Sequence, residues 1–365
     1  MFNPNRLALA RKRRGKTKLA LAKAVGLTTR MISAYEADAY SPSDDTLAKL
    51  AAALRFPQSF FHAEDAPQIS FDGSSFRSLK SMTAAQRESA LAAGTLAVEI
   101  SRWMEQRFDL PEANVPSMRG YDPETAAEAL RARWEIGEKA IDNMVRLLEF
   151  RGVRVFSLPI DSVSVDAFSV WHDGTPFVFL NSLKSGERSR FDAAHELAHL
   201  TLHQHGAPQG RLAESQADHF ASAFLIPRST LVASAPRNPT LRTLLQLKKK
   251  WKVALIALVH RLYALNLLSE WQYRGLCVEI ASEGYRKSEP DGIQRESSEL
   301  LAKVFGLLRE DGVSRGAIAK ELNLEIGEID LLVRGLVLAS VGGGGHQKGT
   351  ASVRPSLHLI KAGPD

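Results

Sequence analysis

The stretch Phe191-Asp192-Ala193-Ala194-His195-Glu196-Leu197-Ala198-His199-Leu200 decides how this chain is read. Its two histidines stand four residues apart, just over one helical turn, so both imidazoles leave the same face and can grip one metal ion. Glu196, beside the first of them, is placed to take a proton from metal-activated water as that water attacks a peptide carbonyl. Ala193, Ala194, Leu197, Ala198 and Leu200 make the helix apolar. Two histidines and a glutamate on a buried helix are costly unless a metal satisfies them. With a single cysteine, Cys277, the chain has no internal disulfide and no cysteine-rich zinc site, so histidine and carboxylate must hold the Zn²⁺.

A catalytic zinc site needs a third protein ligand and an open position. His205 follows His199 by six residues, but Leu202 stands where a glycine would let the helix turn sharply. His203 lies one turn beyond His199, where the helix axis carries it away from the metal. Glu214 opens the next helical pattern and is the favoured third ligand. Asp218, one turn further on, can accept the other N–H of a ligating histidine and fix its tautomer.

Working outward, the period preceding this helix is two. Val153, Val155 and residues 157–160 read as one strand, while residues 168–171 and 177–180 flank the hairpin signal His172-Asp173-Gly174-Thr175-Pro176. Together they read as a small antiparallel sheet. Helical patterns precede it at 83–108, 123–134 and 138–151 and follow it at 212–224, 241–251, 254–265 and 270–282. The tail repeats a helix-turn-helix cadence between Ser298 and Leu336. Its acids Glu325, Glu328 and Asp330 would repel a phosphate backbone, so it reads as protein-facing or as structural packing. Residues 342–350 lack the Gly-Lys-Thr order of a phosphate loop and read as a flexible linker.

The other end of the chain carries a different chemistry. Residues 1–35 hold nine cations (Arg6, Arg11, Lys12, Arg13, Arg14, Lys16, Lys18, Lys23 and Arg30) and no acid, which leaves the rest of a chain of net charge +6 mildly acidic. That asymmetry is the footprint of a nucleic-acid reader joined to something that is not one. Asn3, Thr17 and Thr28 mark helix starts, Ser43 or Asp44 opens a fourth, Gly26 breaks the second helix, and Leu21, Ala22, Val25 and Ile32 face inward. The third helix then presents Thr28, Thr29, Arg30 and Ser33 to base edges in a major groove. Lys18 and Arg13 join this set, Arg13 as a contact to phosphate.

Two resemblances follow from these residues. Leu21-Ala22, Gly26-Leu27, Ile32-Ser33, Tyr35-Glu36, Pro42 and Thr46-Leu47-x-Lys49-Leu50-Ala51 resemble the Xre family of Cro/lambda-repressor-like domains, over residues 4–61. Lys18 stands where that family usually has Gln, and Asp38 where it usually has Gly. Arg190-Phe191 leading into the histidine motif, Glu214-x-x-Ala217-Asp218-x-Phe220-Ala221, and Phe224-Leu225-Ile226-Pro227 resemble the ImmA/IrrE metallopeptidases, over about residues 70–290. The resemblance implies a zinc endopeptidase fold with Glu196 as general base, in a family whose members tend to act on DNA-binding repressors.

The expected architecture is a mostly helical α+β chain. A five-helix helix-turn-helix domain (1–61) and a linker (62–82) precede a zincin-like domain with a small antiparallel sheet (83–290) and a helical C-terminal region (291–365). No long apolar run suggests a membrane span, and the first residues lack the apolar core of a secretory signal, so a cytoplasmic location is expected. The expected partners are operator DNA, bound by a homodimer, and a protein that serves as substrate. Two functions fit. One is a regulator that cleaves itself, a partner repressor or a toxin-like protein. The other is a repressor or antitoxin of a toxin-antitoxin or stress- or phage-response operon whose peptidase-like domain only senses metal or docks a partner. The general base Glu196, which a mere scaffold does not need, favours the first.

Overall fold

In the computed structural model the described residues are 1–69, 82–158, 167–204 and 210–337. Four amino-terminal helices begin at the expected caps. Asn3 caps α1 (Pro4–Arg13), Thr17 α2 (Lys18–Val25), Thr28 α3 (Thr29–Glu36) and Ser43 α4 (Asp44–Leu54), each side chain accepting amide protons of the first turn. Gly26 ends α2 in the left-handed region at φ 71°, and Asp38 takes that region at φ 57° after α3, as a short polar side chain can. In place of a fifth α-helix there is a 3₁₀ turn, Gln58–His62, which follows Pro57 and seats Phe60 and Phe61 in the core. Leu7, Leu21, Ile32, Leu47 and Leu50 are wholly buried among these helices.

The long helix α5 (Ala84–Glu105) starts from a reciprocal Thr83–Gln86 capping box and buries a stripe that includes Leu96, Ala97 and Ile100. It is followed by α6 (Pro123–Arg133) and α7 (Met144–Phe150). The helix expected from Glu138 begins only at α7, because Asn143 caps it and the Glu296 carboxylate takes the amide protons of Met144 and Val145 at 2.8 and 3.2 Å.

The sheet has three strands, β1 (Arg154–Leu158), β2 (Ala167–His172) and β3 (Thr175–Asn181), in the order β1-β3-β2. β2 and β3 form the expected hairpin, with Asp173 and Gly174 both at positive φ (46° and 78°). β1, however, runs parallel to β3, so the sheet is mixed and not antiparallel. Alternation of apolar residues reports which face of a strand is buried, and it is the same for either direction.

Helix α8 (Gly186–Leu202), which carries the two histidines of the motif, lies against β2 and β3 on one side and α9 (Arg211–Leu225) on the other. Its Ala193, Ala194, Leu197 and Ala198 are wholly buried, as are Ala217, Phe220 and Phe224 of α9. Helices α10 (Arg228–Ser234), α11 (Leu241–Trp251), α12 (Leu255–Ala264) and α13 (Glu270–Ser282) complete this part. No helix among the described residues is long and apolar enough to cross a membrane.

The C-terminal helices α14 (Glu299–Glu310), α15 (Arg315–Glu321) and α16 (Ile326–Leu332) turn their acids toward the chain's own cations and indoles. Glu328, 1% exposed, accepts from Arg13 Nε at 2.8 Å and also pairs with Arg14. Glu321 accepts from Trp103 Nε1 at 2.8 Å and from Arg107 at 2.6 Å. α1 also packs on α5, where Arg6 makes a two-pronged pair with Glu99 at 2.5 and 3.0 Å. The helix-turn-helix unit is thus fastened both to α5 and to the C-terminal helices. Parts of the sequence reading lie outside the described residues: the linker from 70 to 81, Pro159 and Ile160, His205, and the glycine-rich 342–350.

Candidate metal centre and nucleic-acid interface

The spacing of α8 and the docking of α9 bring His195, His199 and Glu214 together, with one donor atom from each within 4.8 Å of the others. His195 Nε2 is 3.1 Å from His199 Nε2 and 3.3 Å from Glu214 Oε2, and His199 Nε2 is 3.7 Å from Glu214 Oε1. Asp218 stands where one further turn of α9 puts it, 2.9 Å from His195 Nδ1. This is the carboxylate–histidine arrangement that turns a ring nitrogen toward a metal.

The electrostatics suit a cation. Burial, with His195 and His203 close by, pushes the His199 pKa well below the ordinary imidazole value and keeps that ring neutral, as a ligand must be. Burial also opposes a proton on His195, but hydrogen bonds to Asp218 and Glu214 and the charge of Glu196 outweigh it and raise its pKa to about 10. Carboxylates that draw a proton onto one ring of the cluster form a donor set with room for positive charge, and two imidazoles with one glutamate are a fitting set for Zn²⁺.

Glu196, 1% exposed, accepts a hydrogen bond from Ser169 Oγ at 2.7 Å. Ser169 lies in the middle of β2, and Trp171 two residues on donates Nε1–H to the Leu200 carbonyl at 3.2 Å, tying the strand to α8. The sequence reading did not single out Ser169, although a serine inside the apolar run Phe168–Trp171 was the available signal. His203, weighed as a ligand, instead stands behind His199: the two Nδ1 atoms are 2.9 Å apart, and His203 Nε2 is 2.9 Å from Gln216 Oε1. Gln216 had no signal, because nothing in sequence ties an exposed-looking glutamine to a residue in a different helix.

At the other site Thr28, Thr29 and Arg30 are exposed and Ser33 is half-exposed, so the start of α3 faces outward. Thr28 Oγ1 also accepts the Met31 amide proton at 3.2 Å as the helix cap. Lys18 is half-buried and lies 3.3 Å from Glu36, whose carboxylate chiefly holds Arg11. Arg13, expected as a phosphate contact, is instead buried against Glu328. The charge count along the sequence missed this because the acids that neutralise Arg6, Arg11, Arg13 and Arg14 lie at positions 99, 36 and 328. Among the described residues no acid pairs with Lys12, Lys16, Lys23 or Arg30.

Residues 7–57 match a family model described as helix-turn-helix, and residues 148–263 match one described as the IrrE N-terminal-like domain. No curated protein matches the chain. The chain therefore joins an Xre-like helix-turn-helix domain to an ImmA/IrrE-like domain. It is a DNA-binding regulator that carries a peptidase-family domain.

Proposed function

We propose that the peptidase-family domain is a zinc endopeptidase that cleaves the chain itself or a regulatory protein bound to it. The observation that carries this reading is the convergence of His195, His199 and Glu214 beside the buried carboxylate of Glu196. His195, His199 and Glu214 would hold the Zn²⁺, which when bound supplies Lewis acidity, acidifying water and polarising a peptide carbonyl. Glu196 is the proton acceptor, and the Ser169 hydroxyl fixes the orientation of its carboxylate. Asp218 holds the His195 ring with Nε2 toward the cluster. β2, at one end of the strand order and beside α8, offers its backbone to an extended peptide, which can pair there without demanding a particular sequence.

The helix-turn-helix domain reads operator DNA through Thr28, Thr29, Arg30 and Ser33, with Lys18 at the margin. Two copies would set their third helices in half-sites one helical turn apart, which calls for a homodimer. The division at residues 61, 82 and 290 and a cytoplasmic location belong to the same reading.

Glu196→Gln tests the central step. The amide keeps the shape of the carboxylate but cannot take the proton, so zinc content and fold persist while cleavage falls by about 10²-fold or more. The measurement is fragment formation by the zinc-loaded chain, alone and with the products of neighbouring genes. Equal cleavage by the variant removes Glu196 as base. Absence of any cleavage by the unsubstituted chain favours the alternative, a repressor or antitoxin whose second domain senses metal or docks a partner.

A further inference from the structure

We propose that His203, backed by Gln216, is the positioning residue for the metal-facing ring of His199, and that it works as an uncharged acceptor of the His199 Nδ1 proton. The inference rests on the metal reading above, and its geometry is independent of Glu196.

His199 presents Nε2 to the cluster, 3.1 Å from His195 Nε2 and 3.7 Å from Glu214 Oε1, and its opposite nitrogen faces His203. A lone pair at Nε2 requires the ring proton at Nδ1. That proton lies between two Nδ1 atoms 2.9 Å apart, so His203 accepts there and must carry its own proton at Nε2. Nε2 of His203 is 2.9 Å from Gln216 Oε1, a carbonyl oxygen that only accepts. With both rings neutral, one arrangement of protons satisfies every contact in the chain, and it is the arrangement that leaves His199 Nε2 free of a proton.

Helical spacing alone does not give this. Residues one turn apart on α8 are always neighbours, but the run of two short contacts needs Gln216, which comes from α9, two residues past the proposed ligand Glu214. The same helix therefore supplies one ligand, the outer partner of His195 and the residue that backs His203. The two partners differ in kind. Asp218, against His195, has a side chain 54% exposed, where a charge stays hydrated. The pair His199 and His203 is buried, and there a carboxylate would have to be desolvated, so a neutral acceptor serves. The position of His203 behind the ring also explains why it is no ligand itself.

The test is zinc affinity of the full chain, by competition with a chelator, with the visible spectrum of the Co²⁺-substituted protein as a second readout. His203→Leu removes the acceptor and lowers zinc affinity by roughly 10- to 100-fold, the effect of losing an outer partner, with a changed Co²⁺ spectrum. His203→Asn, whose Oδ1 can stand near the lost Nδ1, restores most of the affinity, and Gln216→Leu gives a smaller loss in the same direction. If His203→Leu does not fold, the Asn and Gln216 variants still decide. Unchanged affinity and spectrum in the Leu and Gln216 variants, with zinc bound normally by the unsubstituted chain, overturns the inference and leaves the metal site standing. Failure of the unsubstituted chain to bind zinc overturns the metal reading itself.

Discussion

Helix α8 and helix α1 are both rich in groups that suggest function, yet only the first keeps near sequence neighbours as its working partners. His195, Glu196 and His199 are gathered by a single turn of helix, and Glu214 and Asp218 follow at the start of the next. The arginines of α1 instead find partners at great sequence distance. Arg13 and Arg14 share Glu328, and Arg6 takes Glu99. A chemical motif set by helical periodicity is legible in one dimension, whereas a charge run is legible only when its counter-charges are near in sequence. The basic stretch is therefore two things: an exposed face at the start of α3 with Lys23, proposed above to meet DNA, and a buried fastening on α1.

Breaking the fastening gives the largest effect expected from this contrast. Glu328→Ala removes the buried carboxylate that Arg13 and Arg14 share, and loss of one partner of a buried ion pair costs about 3–5 kcal/mol. Denaturant unfolding of the full chain measures it. A loss of less than about 1 kcal/mol, the value of an exposed pair, would place Arg13 and Glu328 in solvent and restore Arg13 to the DNA face.

Smaller effects belong to that exposed face. Arg30→Ala, at the exposed start of α3, should relax specificity at one operator position by about 1–3 kcal/mol if its fork meets a guanine, with stability unchanged. Uniform weakening on all sequences would instead make Arg30 a backbone contact. The least effect is expected of Lys23→Ala, which should lower affinity on every sequence alike and reduce the salt slope by about 1. Arg13→Ala should leave that slope unchanged and lower the melting temperature, the reverse of what its place in the basic run suggests.

The same contrast explains how far the sequence could be read. Helix starts at Asn3, Thr17, Thr28, Ser43 and Thr83 were legible because a cap is a local contact, and so was the Asp173-Gly174 hairpin. The parallel pairing of β1 was not, since apolar alternation carries no strand direction. Nor was the shortening of α7, whose first amides are met by Glu296, a residue some 150 positions away. Within the site, the pairing of His195 with His199 and of Glu214 with Asp218 followed from one-turn spacings, and Glu214 itself from its place at the opening of the next helical pattern. Ser169 and Gln216 did not, because their partners sit on other elements and only packing brings them together. The acidic C-terminal helices could be read as repelling DNA, but not as gripping α1.

The central claim is that the local motif is a metal site completed by Glu214, and metal analysis of the purified chain tests it most directly. One zinc per chain is expected in the unsubstituted protein and in His205→Ala, with loss in Glu214→Ala. Full zinc retention by Glu214→Ala together with loss in His205→Ala would contradict the assignment.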